Sequence, residues 1–448
     1  MHKKKVLLIS YHFPPSTEVG GKRIFNFARI LPLNGWNTYV LTIKDRYLSA
    51  LDTAKLKDLD MVTVFKAGRL PNIKQGYLLL KGFYLKRIKK SGVTLDELEE
   101  SFVHPEYDTI AQKLKDLVEM LFIGFPDEYR TWTIPALFKA VKEIKRNKID
   151  CIVTSSPPVT SHVVGLLVKK ITGVKWIADF RDPWLTPVDY TKPRPSRLLY
   201  TKIGLWMERK MIGNADKVLT TTRRLCSTYQ ESFKQHHPDK FIHISNGFDN
   251  ALVSRCNGLN KFSTFTLSYT GTLYHGRSPE VVFKALKELI SEGKINADEM
   301  RIKLIGNCKY LDGYLTSEIA KSYGLDHVVD ISGQVPYLKS LEIIKRSHSA
   351  LLLAVDQPLQ IPAKVYDYIG LGVTILTLTG QGETSDLIKS TGVGQVFNYS
   401  DVDGIKEFLY QAFKEKDLLS TQSSIEVLSK YDTGNIVKEL ALLLERIT

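Results

Sequence analysis

Short apolar runs rich in β-branched residues alternate along the chain with amphipathic segments of helix length, and the runs form two series. The first series of candidate strands is Val6–Ser10, Thr38–Ile43, Val62–Ala67, Cys151–Ser155, Lys175–Phe180, Lys217–Thr222 and Phe241–Ser245. The second series is Phe265–Gly271, Arg301–Gly306, Val328–Ser332, Ala350–Val355, Thr374–Thr377 and Gly394–Phe397. Continuous apolar strands separated by helices are typical of parallel sheets with both faces covered. Two such series predict two doubly wound α/β domains.

The boundary between the series is expected between Asn246 and Phe262. Asn246-Gly-Phe-Asp249 is turn chemistry after a strand, and the residues that follow are polar and weakly patterned. We therefore expect a first domain at residues 1–250 and a second at 251–429. An amphipathic helix at about 430–448 could pack back on the first domain, and its apolar positions are Val437, Leu440, Leu443, Leu444 and Ile447.

Length and composition agree with this organisation. The chain has 448 residues, 43% of them hydrophobic and 25% charged, as expected for a globular protein of two domains. No apolar run reaches the roughly 20 residues that a membrane span needs. The run Val6–Ile9 is short for a signal peptide, so we interpret it as the first strand and expect a cytoplasmic protein. Four dispersed cysteines suit a reducing compartment and argue against a cysteine-based zinc site.

The net charge of +14 indicates an anionic partner, unless it serves only solubility. The stretch Met61–Leu95 contains no acidic residue and interleaves basic with aromatic and aliphatic side chains. Such a segment can lie in an anionic membrane interface, which would place the protein at the inner face of the plasma membrane. The alternative is a helix with a buried apolar side and a solvated basic side. We expect no nucleic-acid partner, because no nucleic-acid motif accompanies the charge.

The clearest candidate site lies at Ile361–Gly372. A loop there enters a helix whose first turn carries Lys364, with Asp367 three residues later, and the helix ends at a glycine. Both side chains are expected on one helix face. A cation at a helix N-terminus suits a phosphate, and a carboxylate suits a sugar diol. The pair therefore predicts a site for a nucleotide-linked sugar.

Two further loops of the second half follow predicted strands. In the first, small residues give access to the strand end, and an arginine offers a planar fork for a diphosphate. The second is rich in glycine and enters a helix, so its amides and hydroxyl could face the same ligand. The candidate donor contacts in these loops are Gly271, Thr272, Arg277, Gly382, Glu383 and Thr384.

The first half offers candidate acceptor contacts at the ends of its predicted strands. Gly20 and Gly21 precede a helix and would let backbone N–H groups approach a ligand. The segment Asp179-Phe-Arg-Asp182 follows a strand, at the edge where open α/β sheets bind ligands. Its two carboxylates and Arg181 could bind an acceptor hydroxyl and handle its proton, or could form an Asp–Arg pair that only orders the loop. Two histidines near strand ends, each either functional or structural, are His12 and His162.

In these residues the chain resembles glycosyltransferases of the GT-B fold, and most closely the large retaining family 4. The best match is Pro362-Ala-Lys-Val-Tyr-Asp-Tyr, which is similar to the family's Pro-x-Lys-x-x-Glu-Tyr block. The strand–Gly-Gly–helix opening and the Tyr269-Thr-Gly-Thr-Leu-Tyr strand end also fit. Asp-Phe-Arg-Asp-Pro-Trp184 resembles a bacterial surface-polysaccharide branch. The resemblance implies two Rossmann-like domains that face each other across a cleft.

The resemblance also implies roles for individual residues. Arg277 and Lys364 would bind the diphosphate of the donor, and Asp367 would bind the ribose, where the family has Glu. Gly20 and Gly21 would lie at the mouth of the cleft. No cofactor and no metal are expected, because the family uses cations of the protein. Leu359 stands where the family has the Glu that usually contacts the donor sugar.

The predicted function is transfer of a sugar from a nucleotide-diphosphate sugar to a hydroxyl acceptor, with retention of configuration. The acceptor would be a glycan or a polyprenyl-diphosphate-linked intermediate of cell-surface polysaccharide synthesis. One alternative is an inverting GT-B transferase or an epimerase, for which Asp179 or Asp182 would be the base. Another is a non-catalytic protein that binds sugar nucleotide or lipid, which the loss of the usual Glu at Leu359 makes conceivable.

Overall fold

The structure is a computed structural model that describes residues 3–71, 125–184, 197–274, 276–355, 357–416 and 424–448. Of the basic and apolar stretch Met61–Leu95, residues 72–95 lie outside the described residues. The chain divides into two compact units. The first comprises Met1–Thr220, Thr228–His243 and Leu440–Thr448, and the second comprises Thr221–Ser227 and Ile244–Glu439.

The first unit contains a parallel sheet of seven strands in the order β3-β2-β1-β4-β5-β6-β7. The strands are β1 (Lys5–Ile9), β2 (Asn37–Ile43), β3 (Val62–Ala67), β4 (Cys151–Ser156), β5 (Lys175–Phe180), β6 (Lys217–Thr220) and β7 (Phe241–His243). Since β1 pairs with both β2 and β4, the chain changes direction across the sheet between β1 and β4. The carboxyl ends of those two strands are the point where open α/β sheets bind ligands.

The second unit contains a parallel sheet of six strands in the order β12-β9-β8-β13-β14-β15. The strands of this unit, including a short hairpin of β10 and β11, are β8 (Phe265–Thr272), β9 (Met300–Asn307), β10 (Tyr310–Leu311), β11 (Tyr314–Leu315), β12 (Val329–Ser332), β13 (Ser349–Ala354), β14 (Thr374–Thr379) and β15 (Gly394–Phe397). In this sheet the chain changes direction across the sheet between β8 and β13.

Fourteen α-helices connect the described strands and end the chain. They are α1 (Lys22–Ile30), α2 (Thr133–Asn147), α3 (Thr160–Thr172), α4 (Arg197–Asn214), α5 (Arg223–Ser232), α6 (Asn250–Ser254), α7 (Glu280–Ser291), α8 (Thr316–Ser322), α9 (Tyr337–Arg346), α10 (Lys364–Leu371), α11 (Glu383–Thr391), α12 (Val402–Lys414), α13 (Ile425–Tyr431) and α14 (Thr433–Ile447). No helix of the described residues is both long and apolar enough to span a membrane.

The burial of alternate residues shows why these apolar runs form central strands. In β13, Leu351 and Leu353 belong to one buried cluster, whereas Ala350 and Leu352 belong to a second cluster. Successive side chains of a strand point to opposite faces, so both faces of this sheet are covered. All six residues of β4 in the first unit are buried as well.

The predicted architecture of two doubly wound parallel sheets is confirmed. All thirteen predicted strands are present, and their ends agree within two residues. The hairpin of β10 and β11 was not predicted, because each of its strands has only two residues. The strands end as predicted because polar and turn residues follow the apolar runs, where backbone groups leave the sheet.

Candidate functional site

The carboxyl edge of the second sheet holds two cationic side chains. Lys364 is the first residue of α10, and its Nζ donates a 2.6 Å hydrogen bond to the carbonyl oxygen of Thr270 in β8. The same Nζ lies 4.0 Å from the centroid of the Tyr269 ring, a cation–π contact. The lysine thus reaches from the helix start to the end of the neighbouring strand.

Arg277 approaches the same edge from the loop that follows β8. Its guanidinium lies 4.4 Å from the centroid of the Tyr274 ring. Its Nη2 donates a 3.3 Å hydrogen bond to Oε1 of Gln357, which follows β13. Because β8 and β13 are the strands between which the direction changes, Arg277 lies at the expected ligand-binding point of this sheet.

The two charges are close enough to interact. Burial, and then the positive charge of Arg277, lower the pKa of Lys364 to about 7. Within the described part of the chain, neither side chain forms an ion pair with a carboxylate. Two neighbouring cations with no acid paired to them among the described residues favour an anion of at least two charges, such as a diphosphate.

Gly271 makes room for this arrangement. Its φ of +147° is unfavourable for any other residue, and a Cβ built there would lie 2.5 Å from Nζ of Lys364. The next residue, Thr272, is exposed at the end of β8. The backbone conformation therefore favours glycine at this strand end, and any larger residue would also displace the Nζ of Lys364 from its position.

Asp367 lies in the first turn of α10, but its contacts differ from those of Lys364. Its side chain is buried, with 6% exposed, and it forms a hydrogen bond with Tyr337 at the start of α9. The hydroxyl that accompanies Lys364 at the end of β8 belongs to Tyr368, whose Oη lies 3.0 Å from Oγ1 of Thr270. Lys364 and Asp367 are thus neighbours on the helix with different environments. A role for Asp367 with ribose stays a prediction.

In the glycine-rich loop predicted to face the donor, the candidate donor groups already form hydrogen bonds within the protein. The N–H of Gly382 donates to Oγ of Ser385, and the N–H of Glu383 donates to the oxygen of Pro358. The hydroxyl of Thr384 donates to the oxygen of Gln360 over 3.0 Å. In this conformation these groups fix the start of α11 and the segment 358–360, and they do not offer donors to a ligand.

The carboxylate of Glu383 also has a partner within the second unit. It accepts a hydrogen bond from the backbone N–H of Arg224, whose guanidinium is paired with Asp386. Thr222 of the same segment donates to the carbonyl oxygen of Leu359 over 2.7 Å. The segment that contains Leu359 is therefore held from two sides, and the leucine puts no carboxylate there.

In the first unit, Asp179 forms a buried ion pair that sequence analysis did not identify. Its carboxylate, 0% exposed, accepts hydrogen bonds from Nε and Nη2 of Arg23 at 3.0–3.2 Å. Ser155 in β4 donates a third hydrogen bond over 2.7 Å. Asp179 therefore forms an Asp–Arg pair of the kind considered as the alternative to acceptor binding. Its partner, however, is Arg23 of α1 instead of Arg181. A carboxylate so enclosed has no room for an acceptor hydroxyl.

Arg181 binds backbone oxygens at the carboxyl ends of β1 and β4. Its guanidinium donates to the oxygens of Ser156 at 2.9 Å, Gly20 at 2.6 Å and Pro157 at 2.5 Å. Burial lowers its pKa, although the negative charge of Asp182 opposes that shift. Arg181 thus ties the glycine loop to the loop after β4, and Asp182 lies half-buried beside it.

A cavity of about 410 Å³ opens at this edge of the first sheet. Nδ1 of His12 and Nε1 of Trp184 are buried there without a hydrogen-bond partner among the described residues. Burial, and then the charge of Arg181, lower the pKa of His12 to about 4, so its ring is neutral at pH 7. The described lining residues are His12, Glu18, Gly20, Pro126, Asp127, Tyr129, Pro157, Pro158, Val159, Trp184 and Tyr200.

The two glycines before α1 pack directly on His12. A Cβ on Gly21 would lie 3.0 Å from the oxygen of His12, and one on Gly20 would lie 3.3 Å from its ring. Glycine is needed here for close packing, and the N–H of Gly21 donates to the oxygen of Glu18. Gly20 lines the cavity, whereas Gly21 supports it, and a role of either glycine in acceptor binding stays a prediction.

His162 belongs to the core of the first unit. Its ring is 0% exposed, and Nδ1 lies 2.7 Å from Oγ1 of Thr154. Trp176 donates to the same oxygen, and the ring centroid of Phe180 lies 4.2 Å from that of His162. Burial lowers the pKa of His162 to about 3, so the ring is neutral. In this structure an acceptor cannot reach it, which corrects the expected acceptor contact.

Three residues of these sites were missed by sequence analysis. Arg23 directly follows the Gly-Gly pair, but its partner is distant in sequence, so no local signal links them. Tyr337 starts a helix after β12, and only the fold brings it to Asp367. Trp184 was part of the quoted Asp-Phe-Arg-Asp-Pro-Trp motif, and its position after β5 was a usable signal.

Comparison with known proteins gives one family match. Residues 101–252, about a third of the chain, match the model described as Glycosyltransferase Family 4. A search of curated proteins found no match.

Solved structures match over the whole length. A glycosyltransferase from Rickettsia africae ESF-5 shares 12% identity, with 100% of this chain and 99% of that chain covered and a TM-score of 0.60. Anabaena Alr3699/HepE in complex with UDP and glucose shares 11% identity over 99% and 100%, with a TM-score of 0.61. Sucrose-phosphate synthase from Thermosynechococcus elongatus shares 14% identity over 99% and 98%, with a TM-score of 0.62. These likenesses establish the fold, and the expected GT-B fold is confirmed.

Proposed function

We propose that this chain is a glycosyltransferase that moves a sugar from a nucleotide-diphosphate sugar to a hydroxyl acceptor. The observation that carries the proposal is the convergence of Arg277 and Lys364 at the carboxyl edge of the second sheet without a described acid. The match of residues 101–252 to Glycosyltransferase Family 4 supports it. So does the GT-B fold, whose Anabaena example binds UDP and glucose.

The two cations would act on the leaving group. As the bond between the anomeric carbon and the diphosphate oxygen breaks, negative charge grows on that oxygen, and Arg277 and Lys364 stabilise it. The acceptor oxygen bonds to the anomeric carbon, and its proton passes to the departing phosphate. This course requires no metal. It gives retention of configuration when the acceptor attacks from the side of the leaving group.

The acceptor would bind at the first unit. The cavity of about 410 Å³ lies at the carboxyl ends of β1 and β4, and its size suits a sugar ring with its substituent. Nδ1 of His12 and Nε1 of Trp184 have no hydrogen-bond partner among the described residues and are complementary to hydroxyl groups. We propose a glycan or a lipid-linked sugar of surface-polysaccharide synthesis as the acceptor.

The first experiment is a thermal-shift screen with uridine-, guanosine- and adenosine-diphosphate sugars, since a ligand of the folded state raises apparent stability. The sugar that stabilises the chain is then incubated with glycan and polyprenyl-diphosphate acceptors, and the anomer of the product is identified by NMR. Retention in a product confirms the proposal. An inverted product would support the rival mechanism with a carboxylate base.

A second candidate function is donor binding without transfer. The observation that favours it is Leu359, which places a backbone carbonyl and an apolar side chain where a donor-sugar carboxylate is expected. Stabilisation by a nucleotide sugar without hydrolysis or transfer, over a panel of acceptors, would support this reading. The absence of stabilisation by every nucleotide sugar would contradict both functions.

A further inference from the structure

Three neighbouring helices form one layer on the first sheet. Connections between parallel strands are right-handed as a rule, which places α2, α3 and α4, the described helices that precede β4, β5 and β6, on the same side of that sheet. In the structure α2 packs against α3, and α3 packs against α4. The outward side of this layer, here called the α2–α4 face, is remote in sequence from the residues of the donor site.

The α2–α4 face exposes large apolar side chains. Phe138 on α2 is 71% exposed and Ile134, one turn earlier, is 50% exposed. Trp206 and Leu205 on α4 are 59% and 39% exposed, and Ile171 at the end of α3 is 57% exposed. Single exposed apolar residues are ordinary, but aromatic and aliphatic residues on adjacent helices of one layer indicate a surface with a partner.

The charges of the α2–α4 face have one sign. The three helices contain two acidic residues, Glu143 and Glu208, which are 2% and 6% exposed. Both carboxylates therefore face inward, and the outer side presents cations alone. The exposed basic residues of the three helices are Lys142, Lys145, Arg146, Lys170, Lys202, Arg209 and Lys210.

We propose that the α2–α4 face docks on an anionic lipid bilayer. Cations at the surface are attracted by acidic headgroups, while Trp206, Phe138 and their aliphatic neighbours enter the interfacial region. Nucleic acid would use the cations and stack on the two aromatic rings, but it would leave Ile134, Ile171 and Leu205 exposed to water. The combination of apolar and basic side chains therefore favours a membrane.

This inference does not depend on sugar transfer. Where both hold, the docked first unit would present its cavity to acceptors anchored in the same bilayer. A test of vesicle binding needs neither donor nor acceptor, so its outcome leaves the proposed enzymatic activity to be judged by its own experiment.

The test is cosedimentation of the full chain with vesicles of phosphatidylcholine, with and without phosphatidylglycerol. We expect binding only to the anionic vesicles, and weaker binding as salt rises. Reversal of three cations in Lys142→Glu, Lys145→Glu and Lys210→Glu is expected to lower the partition coefficient by a hundredfold or more, since each lost cation costs about fivefold. Phe138→Ser with Trp206→Ser is expected to lower it by about tenfold.

The control variants change equally exposed residues of the second unit. Lys284→Glu, Lys321→Glu and Lys389→Glu match the charge change, and Tyr314→Ser, at 70% exposed, matches Phe138→Ser. Thermal unfolding of all variants should stay close to that of the parent, because the changed side chains are exposed. Equal binding to both kinds of vesicle, or equal losses in face and control variants, would overturn the proposal. So would duplex RNA binding that the face variants lose while no vesicle is bound.

Discussion

The carboxyl edges of the two sheets both carry cationic side chains, but the contacts of these cations differ. At the first edge, Arg23 is paired with Asp179, and Arg181 is bound by three backbone oxygens. At the second edge, Lys364 and Arg277 contact a carbonyl and an amide oxygen, with no described carboxylate beside them. The first edge is internally compensated, whereas the described residues of the second edge pair no acid with its two cations.

The difference distinguishes the paired cations of the first edge from those of the second edge, for which we propose a ligand-binding role. A buried arginine with a carboxylate stabilises the fold only as long as both partners are present. Two neighbouring cations repel each other, which destabilises the free protein, and such a pair is retained when an anion offsets the cost, as strain is at functional sites. The comparison therefore predicts loss of stability from changes at the first edge and loss of ligand binding from changes at the second.

The largest expected effect is that of Asp179→Ala on folding. Arg23 would remain buried without the carboxylate of Asp179, which is expected to lower the free energy of unfolding by about 3–5 kcal/mol. Denaturant unfolding of the full chain measures this. As a control, Arg23→Met with Asp179→Leu removes both charges and should restore much of the loss. A single variant as stable as the parent would show that the pair is not buried in solution.

Next in size are Lys364→Ala and Arg277→Ala, each expected to lower the transfer rate by about 10²–10³-fold through lost stabilisation of the leaving group. Their stability should equal or exceed that of the parent, because each removes one of two repelling charges. Lys321→Ala and Arg255→Ala, at exposed positions of the same unit, are the matched controls. Steady-state kinetics and thermal unfolding together separate the two edges. A large loss of stability with an unchanged transfer rate would show that Lys364 and Arg277 stabilise the fold and do not bind the donor.

Sequence alone predicted the sheets, and it also singled out Lys364 and Arg277, whose role with a diphosphate stays a prediction. The strands could be predicted because buried parallel strands are continuously apolar. Lys364 and Arg277 could be singled out because a helix start and a strand end are local features of the sequence. The partner of Asp179 was not visible, since Arg23 reaches it from another helix. The same limit applies to Thr384, whose hydroxyl binds the oxygen of Gln360, a contact that depends on how two loops pack.

The affinity of the second edge for a diphosphate should depend on pH. In the free protein the pKa of Lys364 is about 7, and an adjacent anion favours the charged form, so binding of a diphosphate raises this pKa and takes up a proton. Affinity should fall by up to about tenfold per pH unit above pH 7, where the lysine must first be protonated. Over the same range the free fold gains stability, because the unfolded lysine titrates near 10.5.

Calorimetry in buffers of different ionisation enthalpy measures the proton uptake at pH 8. The uptake should approach one proton per ligand in the parent and disappear in Lys364→Met. A parent that binds at pH 8 without taking up protons would show that Lys364 is already charged in the free site.

The smallest predicted effect is that of Tyr337→Phe. Its hydroxyl bonds to the buried carboxylate of Asp367, and losing a hydrogen bond to a charged group is expected to weaken nucleotide binding by about tenfold. Asp367→Asn should weaken nucleotide binding at least as much while leaving the affinity for pyrophosphate unchanged. Equal losses for nucleotide and pyrophosphate would place Asp367 with the phosphates instead of the ribose.

The most direct test of the central claim uses inorganic pyrophosphate, because it reports on the cations independently of the base and the sugar. Isothermal titration at pH 7 is performed on the parent, on Arg277→Ala with Lys364→Ala, and on the control pair Arg255→Ala with Lys321→Ala. We expect saturable binding to the parent and the control and none to the double variant of the second edge. Equal binding by all three proteins would contradict it.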